Sequence, residues 1–98
     1  MKKLQDRVAI VTGGARGIGK AICKQMAEDG AKLAIVDILL DVAEATAAEF
    51  RAQGVEARAY AANVAVKESV DTMVDAVTKD FGKVDILVNN AGITKDGL

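Results

Sequence analysis

The sequence predicts an α/β fold: a doubly wound parallel sheet of four strands in the order 3-2-1-4. Three observations carry this. Short apolar runs alternate with longer segments of helical periodicity, in the order β-α-β-α-β-α-β. Each crossover is long enough to hold a helix, which makes the strands parallel and the connections right-handed. Glycines stand where the helical segments should stop, at Gly30, Gly54 and Gly82.

The first strand is the run Val8, Ala9, Ile10, Val11, short, apolar and closed by glycines, as a buried parallel strand is. In the helix that follows, Ile18, Ile22 and Met26 recur every four residues with Ala21 beside them, giving one apolar stripe. Lys32 to Asp37 reads as a second buried strand that ends in a carboxylate. Asp41 and Glu44 have the spacing of a capping box, and Ala43, Ala47 and Phe50 form the stripe of the second helix. Val55 to Ala61 is a weaker third strand, expected near a sheet edge. Val70, Met73, Val74, Val77 and Phe81 mark the third helix, and Val84 to Val88 the fourth strand.

Ninety-eight residues make one domain at most, spanning positions 1–98, and a chain of this size buries only about 60–70 % of its unfolded surface. With 51 % hydrophobic residues, 28 % charged residues and no proline, the composition is that of a soluble α/β chain. A net charge of −1 gives no electrostatic case for nucleic acid or an anionic membrane. Cys23 is the single cysteine and histidine is absent, so neither an internal disulfide nor a Cys/His metal cluster is expected; Cys23 reads as a packed thiol. The polar N-terminus lacks the apolar core of a signal peptide and no run approaches a membrane span, so a cytoplasmic location is expected.

The most informative stretch is Val8 to Gly19, V-A-I-V-T-G-G-A-R-G-I-G. A strand, a tight glycine turn and a helix N-terminus bring unpaired N–H groups and the positive end of a helix dipole to one place, which suits a phosphate. Asp37 lies twenty residues after Gly17, where a carboxylate accepts hydrogen bonds from ribose hydroxyls and meets a 2′-phosphate with like charge. That favours NAD over NADP. Arg16 pulls the other way, since a cation in the glycine turn can pair with a 2′-phosphate. The competing reading of Asp37 is a helix cap or a merely solvated carboxylate. Asn63 and Val64 follow the third strand, where an amide can pair with the polar edge of adenine and a valine can pack on the ring; Asn at such a place is also a common turn residue. Asn89-Asn90-Ala91-Gly92 ends the fourth strand with two amides able to fix neighbouring backbone, then small residues that leave room for a flat ligand.

Thr12, Gly13, Gly17 and Gly19 match T-G-x-x-x-G-x-G, and with N-N-A-G at Asn89 to Gly92 the chain resembles the short-chain dehydrogenase/reductase family over nearly its whole length. The resemblance implies a Rossmann-like fold and a nicotinamide cofactor, NAD first and NADP second. It implies cofactor contacts from Gly13, Arg16, Gly17, Ile18, Gly19, Asp37, Asn63, Val64, Asn90, Ala91 and Gly92. It also implies hydride transfer with a small carbonyl or alcohol substrate, and a homo-oligomer at full length. Asn89 to Leu98 is similar to the same stretch of 3-oxoacyl-[acyl-carrier-protein] reductases, which brings in an acyl-carrier-protein thioester as a substrate. The family's catalytic serine and Y-x-x-x-K pair have no counterpart here. Tyr60 is followed four residues later by Val64, and Ser69 reads as an ordinary residue near a helix start. No catalytic residue is therefore assigned. The expectation is the cofactor-binding front part of a longer oxidoreductase; the alternative is a stand-alone, non-catalytic nucleotide-binding or interaction module.

Overall fold

Five consecutive buried residues, Val8–Thr12, form strand β1, and the remaining elements follow in strict alternation: α1 (Gly17–Glu28), β2 (Lys32–Asp37), α2 (Leu40–Ala52), β3 (Ala57–Ala61), α3 (Lys67–Phe81) and β4 (Ile86–Asn89). The computed structural model describes residues 2–90. Ala91 and Gly92, both expected at the cofactor, lie outside the described residues.

The sheet has the order β3-β2-β1-β4, all pairs parallel, as the sequence predicts. Its register aligns the carboxyl ends. Thr12 lies beside Val36 on one side and Asn89 on the other, and Asp37 lies beside Ala61. The glycine turn, the acidic end of β2, the Asn63 loop and the Asn89-Asn90 pair therefore leave the sheet at one edge.

Strand alternation sorts the apolar side chains into two cores, one per face. Val11, Leu33 and Ile35 pack with Cys23 of α1 and Ala43, Ala47 and Phe50 of α2. Val8, Ile10, Ala34 and Val36 pack with Met73 and Val77 of α3, with Val70, Val74 and Phe81 beside them. The alanines let α2 approach the sheet closely. Gly82 ends α3 at φ 85°, a left-handed cap where a side chain would be strained.

Several local expectations are corrected. Ile18 does not share the stripe of Ile22 and Met26: it is 74 % exposed, while the buried side of the first turn is taken by Gly19 and that of the next by Cys23. Asp41 and Glu44 form no capping box. The N-cap of α2 is Leu39, without a side-chain cap bond; Asp41 accepts from the adjacent Val42 N–H, and Glu44 pairs with Arg51. The expectation that the third strand lies at a sheet edge holds, and there Tyr60 packs against the α3 core and donates to Asp80 at 2.8 Å. β3 and β4 also start two residues later than the periodicity suggests.

Candidate functional site

At the carboxyl edge of the sheet, a cleft of about 370 Å³ is lined by Gly13, Arg16, Val36, Asp37, Ile38, Ala62, Asn63 and Val64. Five of the residues singled out from the sequence thus meet in one hollow: Gly13, Arg16, Asp37, Asn63 and Val64. A second hollow of about 240 Å³ lies on the α3 side, between Thr12, Val64, Leu87 and Asn89. Val64 belongs to both. The two openings flank β1.

The glycine turn is built from β1 outwards. Gly13 N–H donates to Val36 O at 2.7 Å, and Gly14 N–H donates to the same oxygen at 3.3 Å. Those two amides are therefore used by β2, and the donors free for an anion are the first amides of α1. That helix has no side-chain cap on its N-cap residue Arg16 and no acidic residue in its first turn, whereas α2 carries Asp41 there and α3 carries Glu68. Its positive end is uncompensated by side chains.

Two glycines are required by the geometry. At Gly17, φ is +54° and the space a Cβ would take is open, so a bulky group can approach the backbone there. At Gly19, an added Cβ would fall 2.0 Å from Gly13 O and 2.8 Å from Asn90 Nδ2. Gly19 lets α1 start directly beneath the turn. Ile18 stands between them, facing solvent.

Asp37 is 6 % exposed at the floor of the larger cleft. Its Oδ1 accepts from Leu39 N–H at 3.1 Å, and its Oδ2 lies 3.6 Å from the Arg16 guanidinium. Its bond thus goes to the N-cap residue of α2, Leu39, and to no N–H within the helix. Opposite, Asn63 is held by three bonds: its N–H donates to Ser69 Oγ at 2.9 Å, its carbonyl accepts from Val66 N–H at 3.0 Å, and its Oδ1 accepts from Ala65 N–H at 3.0 Å. Ser69 thus ties the loop to α3, a role that helical periodicity did not signal.

The two amides at the end of β4 brace the turn. Thr12 Oγ1 lies 3.2 Å from Asn89 Oδ1, and Asn90 Nδ2 donates to Gly13 O at 3.5 Å. Cys23 lies beneath this corner, fully buried, with Sγ 3.7 Å from Gly14 O; burial pushes its thiol up to about 12. It is a packing group. Among the described residues no cluster of His, Cys, Asp or Glu is arranged to hold a metal ion, and no helix is long and apolar enough to cross a membrane.

A parallel sheet in this order, with a glycine turn after its first strand and an acid after its second, defines a Rossmann-type α/β protein. The chain belongs to the short-chain dehydrogenase family, whose profile matches residues 7–98. Among its relatives, a 3-oxoacyl-[acyl-carrier-protein] reductase, FabG, of Staphylococcus epidermidis is 49 % identical over 94 residues, 95 % of this chain and 38 % of that protein. A D-threitol dehydrogenase of Mycolicibacterium smegmatis is 44 % identical over 93 residues, 95 % of this chain and 36 % of that protein. The crystal structure of a short-chain dehydrogenase/reductase from Burkholderia phymatum in complex with NAD superposes with a TM-score of 0.82 at 31 % identity, covering 89 % of this chain and 31 % of that one. The chain therefore spans little more than a third of the length of the curated relatives it matches.

Proposed function

We propose that this chain is the dinucleotide-binding part of an oxidoreductase that moves hydride between a nicotinamide and a small carbonyl or secondary alcohol, with NAD preferred over NADP. The observation that carries the reading is the buried Asp37 carboxylate facing Asn63 and Val64 across one cleft, with the glycine turn at its rim. The fit is steric as well as polar: Gly17 leaves open space at the uncapped start of α1, where a pyrophosphate would meet N–H donors.

In this reading Asp37 accepts from the adenosine ribose hydroxyls, Val64 packs on the base, the first amides of α1 from Arg16 to Gly19 hold the pyrophosphate, and Gly13, without a side chain, lets it come close. Asn90 borders the second ribose, a role the family resemblance extends to Ala91 and Gly92. The cofactor, when bound, supplies the hydride donor or acceptor at the nicotinamide ring. The residues here bind and orient it; no side chain among these 98 is assigned to move the substrate proton.

The substrate class we favour is a 3-oxoacyl thioester on an acyl carrier protein, supported by the Staphylococcus relatives; the D-threitol dehydrogenase relative speaks for a polyol instead. We read the full-length protein as a cytoplasmic homo-oligomer. The test of the cofactor reading is an equilibrium titration with NADH and NADPH. Saturable binding with NADH about tenfold the tighter supports it; tighter binding of NADPH overturns the preference, and no saturable binding of either overturns the reading. For the substrate, full-length protein that oxidises the reduced cofactor with a 3-oxoacyl thioester, and does not reduce NAD with a polyol, bears the reading out.

A further inference from the structure

We infer that Thr46 of α2 is a positioning residue for the glycine turn: its hydroxyl fixes the peptide between Ala15 and Arg16 so that the Arg16 N–H, and not the Ala15 carbonyl, is turned to the pyrophosphate. The inference rests on the dinucleotide reading above and concerns how the turn is held ready for an anion.

Thr46 is a polar residue in an apolar place. It shares the buried side of α2 with Ala43, Ala47 and Phe50 and is 4 % exposed. A threonine inside a helix ordinarily satisfies its hydroxyl on the carbonyl one turn back, as Thr78 of α3 does, donating to Val74 O at 2.8 Å. Thr46 instead donates to Ala15 O at 2.8 Å, across 31 positions of the chain. Ala15 is itself buried and stands directly before Arg16, the N-cap of α1. Among the described residues no backbone N–H reaches that carbonyl, and the neighbouring Lys20 N–H goes to Arg16 O. The Thr46 hydroxyl is thus the donor that satisfies it.

This bond decides which way the peptide faces. The Ala15–Arg16 peptide is trans, so its carbonyl and its N–H point in opposite directions. With the oxygen drawn toward α2, the Arg16 N–H faces away from α2, and it has no acceptor among the described residues. Arg16 lines the larger cleft with Gly13 and Asp37. Rotation of this peptide would set a carbonyl dipole where the N–H stands, against the anion that the uncapped start of α1 favours. Gly13, Gly14 and Gly17 on either side give the backbone the freedom for such a rotation. The hydroxyl removes that freedom before the ligand arrives, and a donor already oriented binds more tightly than one that must be turned.

The experiment measures dissociation constants of NAD and of adenosine by titration of the amide spectrum, for the unmodified chain, Thr46→Val and Thr46→Ser. Adenosine carries the base and ribose without the phosphates, so it reports on the Asp37 side of the cleft alone. Thr46→Val should weaken NAD about fivefold or more and adenosine less than about twofold, while Thr46→Ser, which keeps the hydroxyl, should bind both within about twofold of the unmodified chain. Equal weakening of the two ligands in Thr46→Val marks a general loss of packing, and unchanged NAD binding marks an idle bond. Either result overturns the inference and leaves the cofactor reading standing, as does a folded Thr46→Ser that binds NAD as weakly as Thr46→Val. Should Thr46→Val not fold, by far-UV circular dichroism, Thr46→Ala, the better helix former, takes its place with the same expectations. Absence of NAD binding by the unmodified chain removes the cofactor reading itself, and this inference with it.

Discussion

Arg16 and Asp37 face each other across the mouth of the larger cleft, Nη2 to Oδ2 at 3.6 Å, and the two partners are unequal. The Asp37 side chain is 6 % exposed and anchored by Leu39 N–H, whereas the Arg16 side chain is 68 % exposed. The carboxylate is a fixed part of the cleft and the guanidinium a movable one. Freeing Oδ2 for a ribose hydroxyl requires breaking only a long, solvent-screened ion pair, which costs about 1 kcal/mol or less. The same motion would let Arg16 reach a 2′-phosphate.

Substitutions at these two positions should separate the cofactors. Asp37→Ala removes the ribose acceptor and the repulsion toward a 2′-phosphate, so the NADH preference should fall about tenfold. Arg16→Ala should weaken NADPH binding about threefold to tenfold and leave NADH nearly unchanged. Fluorescence titration of both reduced cofactors measures this. Equal relative affinities before and after Asp37→Ala would refute its role.

Gly19→Ala tests the close packing under the turn. The added methyl would lie 2.0 Å from Gly13 O, closer than any van der Waals contact. Backbone must shift, at a cost of about 1–3 kcal/mol or more, and the thermal midpoint should drop by roughly 5 °C or more. Gly54→Ala, whose Cβ meets nothing within 4 Å, isolates the cost of a positive φ without a clash.

Asp85 joins the amino ends of β1 and β4. Its Oδ2 accepts from Val8 N–H at 2.9 Å and from Lys83 Nζ at 3.0 Å, with Arg7 at 3.6 Å from Oδ1. The backbone bond from Val8, then the Lys83 ammonium, hold its carboxyl below the usual carboxylate range. A carboxyl with a lowered folded pKa contributes stability above its unfolded pKa of about 4, and that contribution is lost as pH falls through the folded value. Urea titrations between neutral and acid pH should therefore show a shallower acid-side loss for Asp85→Asn than for the unmodified chain. Parallel pH profiles would contradict this.

Cys23 should be silent in the native state. Full burial and a thiol pushed up to about 12 leave almost no accessible thiolate at pH 8. Labelling by a thiol-specific chromogenic reagent should be at least about 100-fold slower than in urea, where one equivalent reacts; prompt native labelling would mean that α1 opens readily.

The strand order, the two-sided core and the convergence of Gly13, Asp37 and Asn63 were legible because each rests on spacing: crossover length sets strand direction, and strand ends align in a parallel sheet. Less legible were features set by what a residue meets across the fold. Ser69 is indistinguishable from any helix-start serine until α3 is docked beside Asn63. The bond from Tyr60 of β3 to Asp80 of α3 likewise depends on how the two elements dock. Ile18 fits the helical stripe by number, but in the first turn of α1 it is Gly19 that is buried and Ile18 that faces solvent. The Arg16 and Asp37 pair is likewise invisible to motif spacing, since it joins a turn to a strand end through space.

The most direct test of the account is the amide spectrum of the isotopically labelled chain titrated with NAD. The account predicts saturable shifts confined to Gly13, Arg16 to Gly19, Asp37 to Leu39, Asn63 to Val66 and Asn90 to Gly92, with the outer face of α3 and the Asp85 corner unmoved. Shifts centred away from the carboxyl edge of the sheet, or none at saturating dinucleotide, would contradict it.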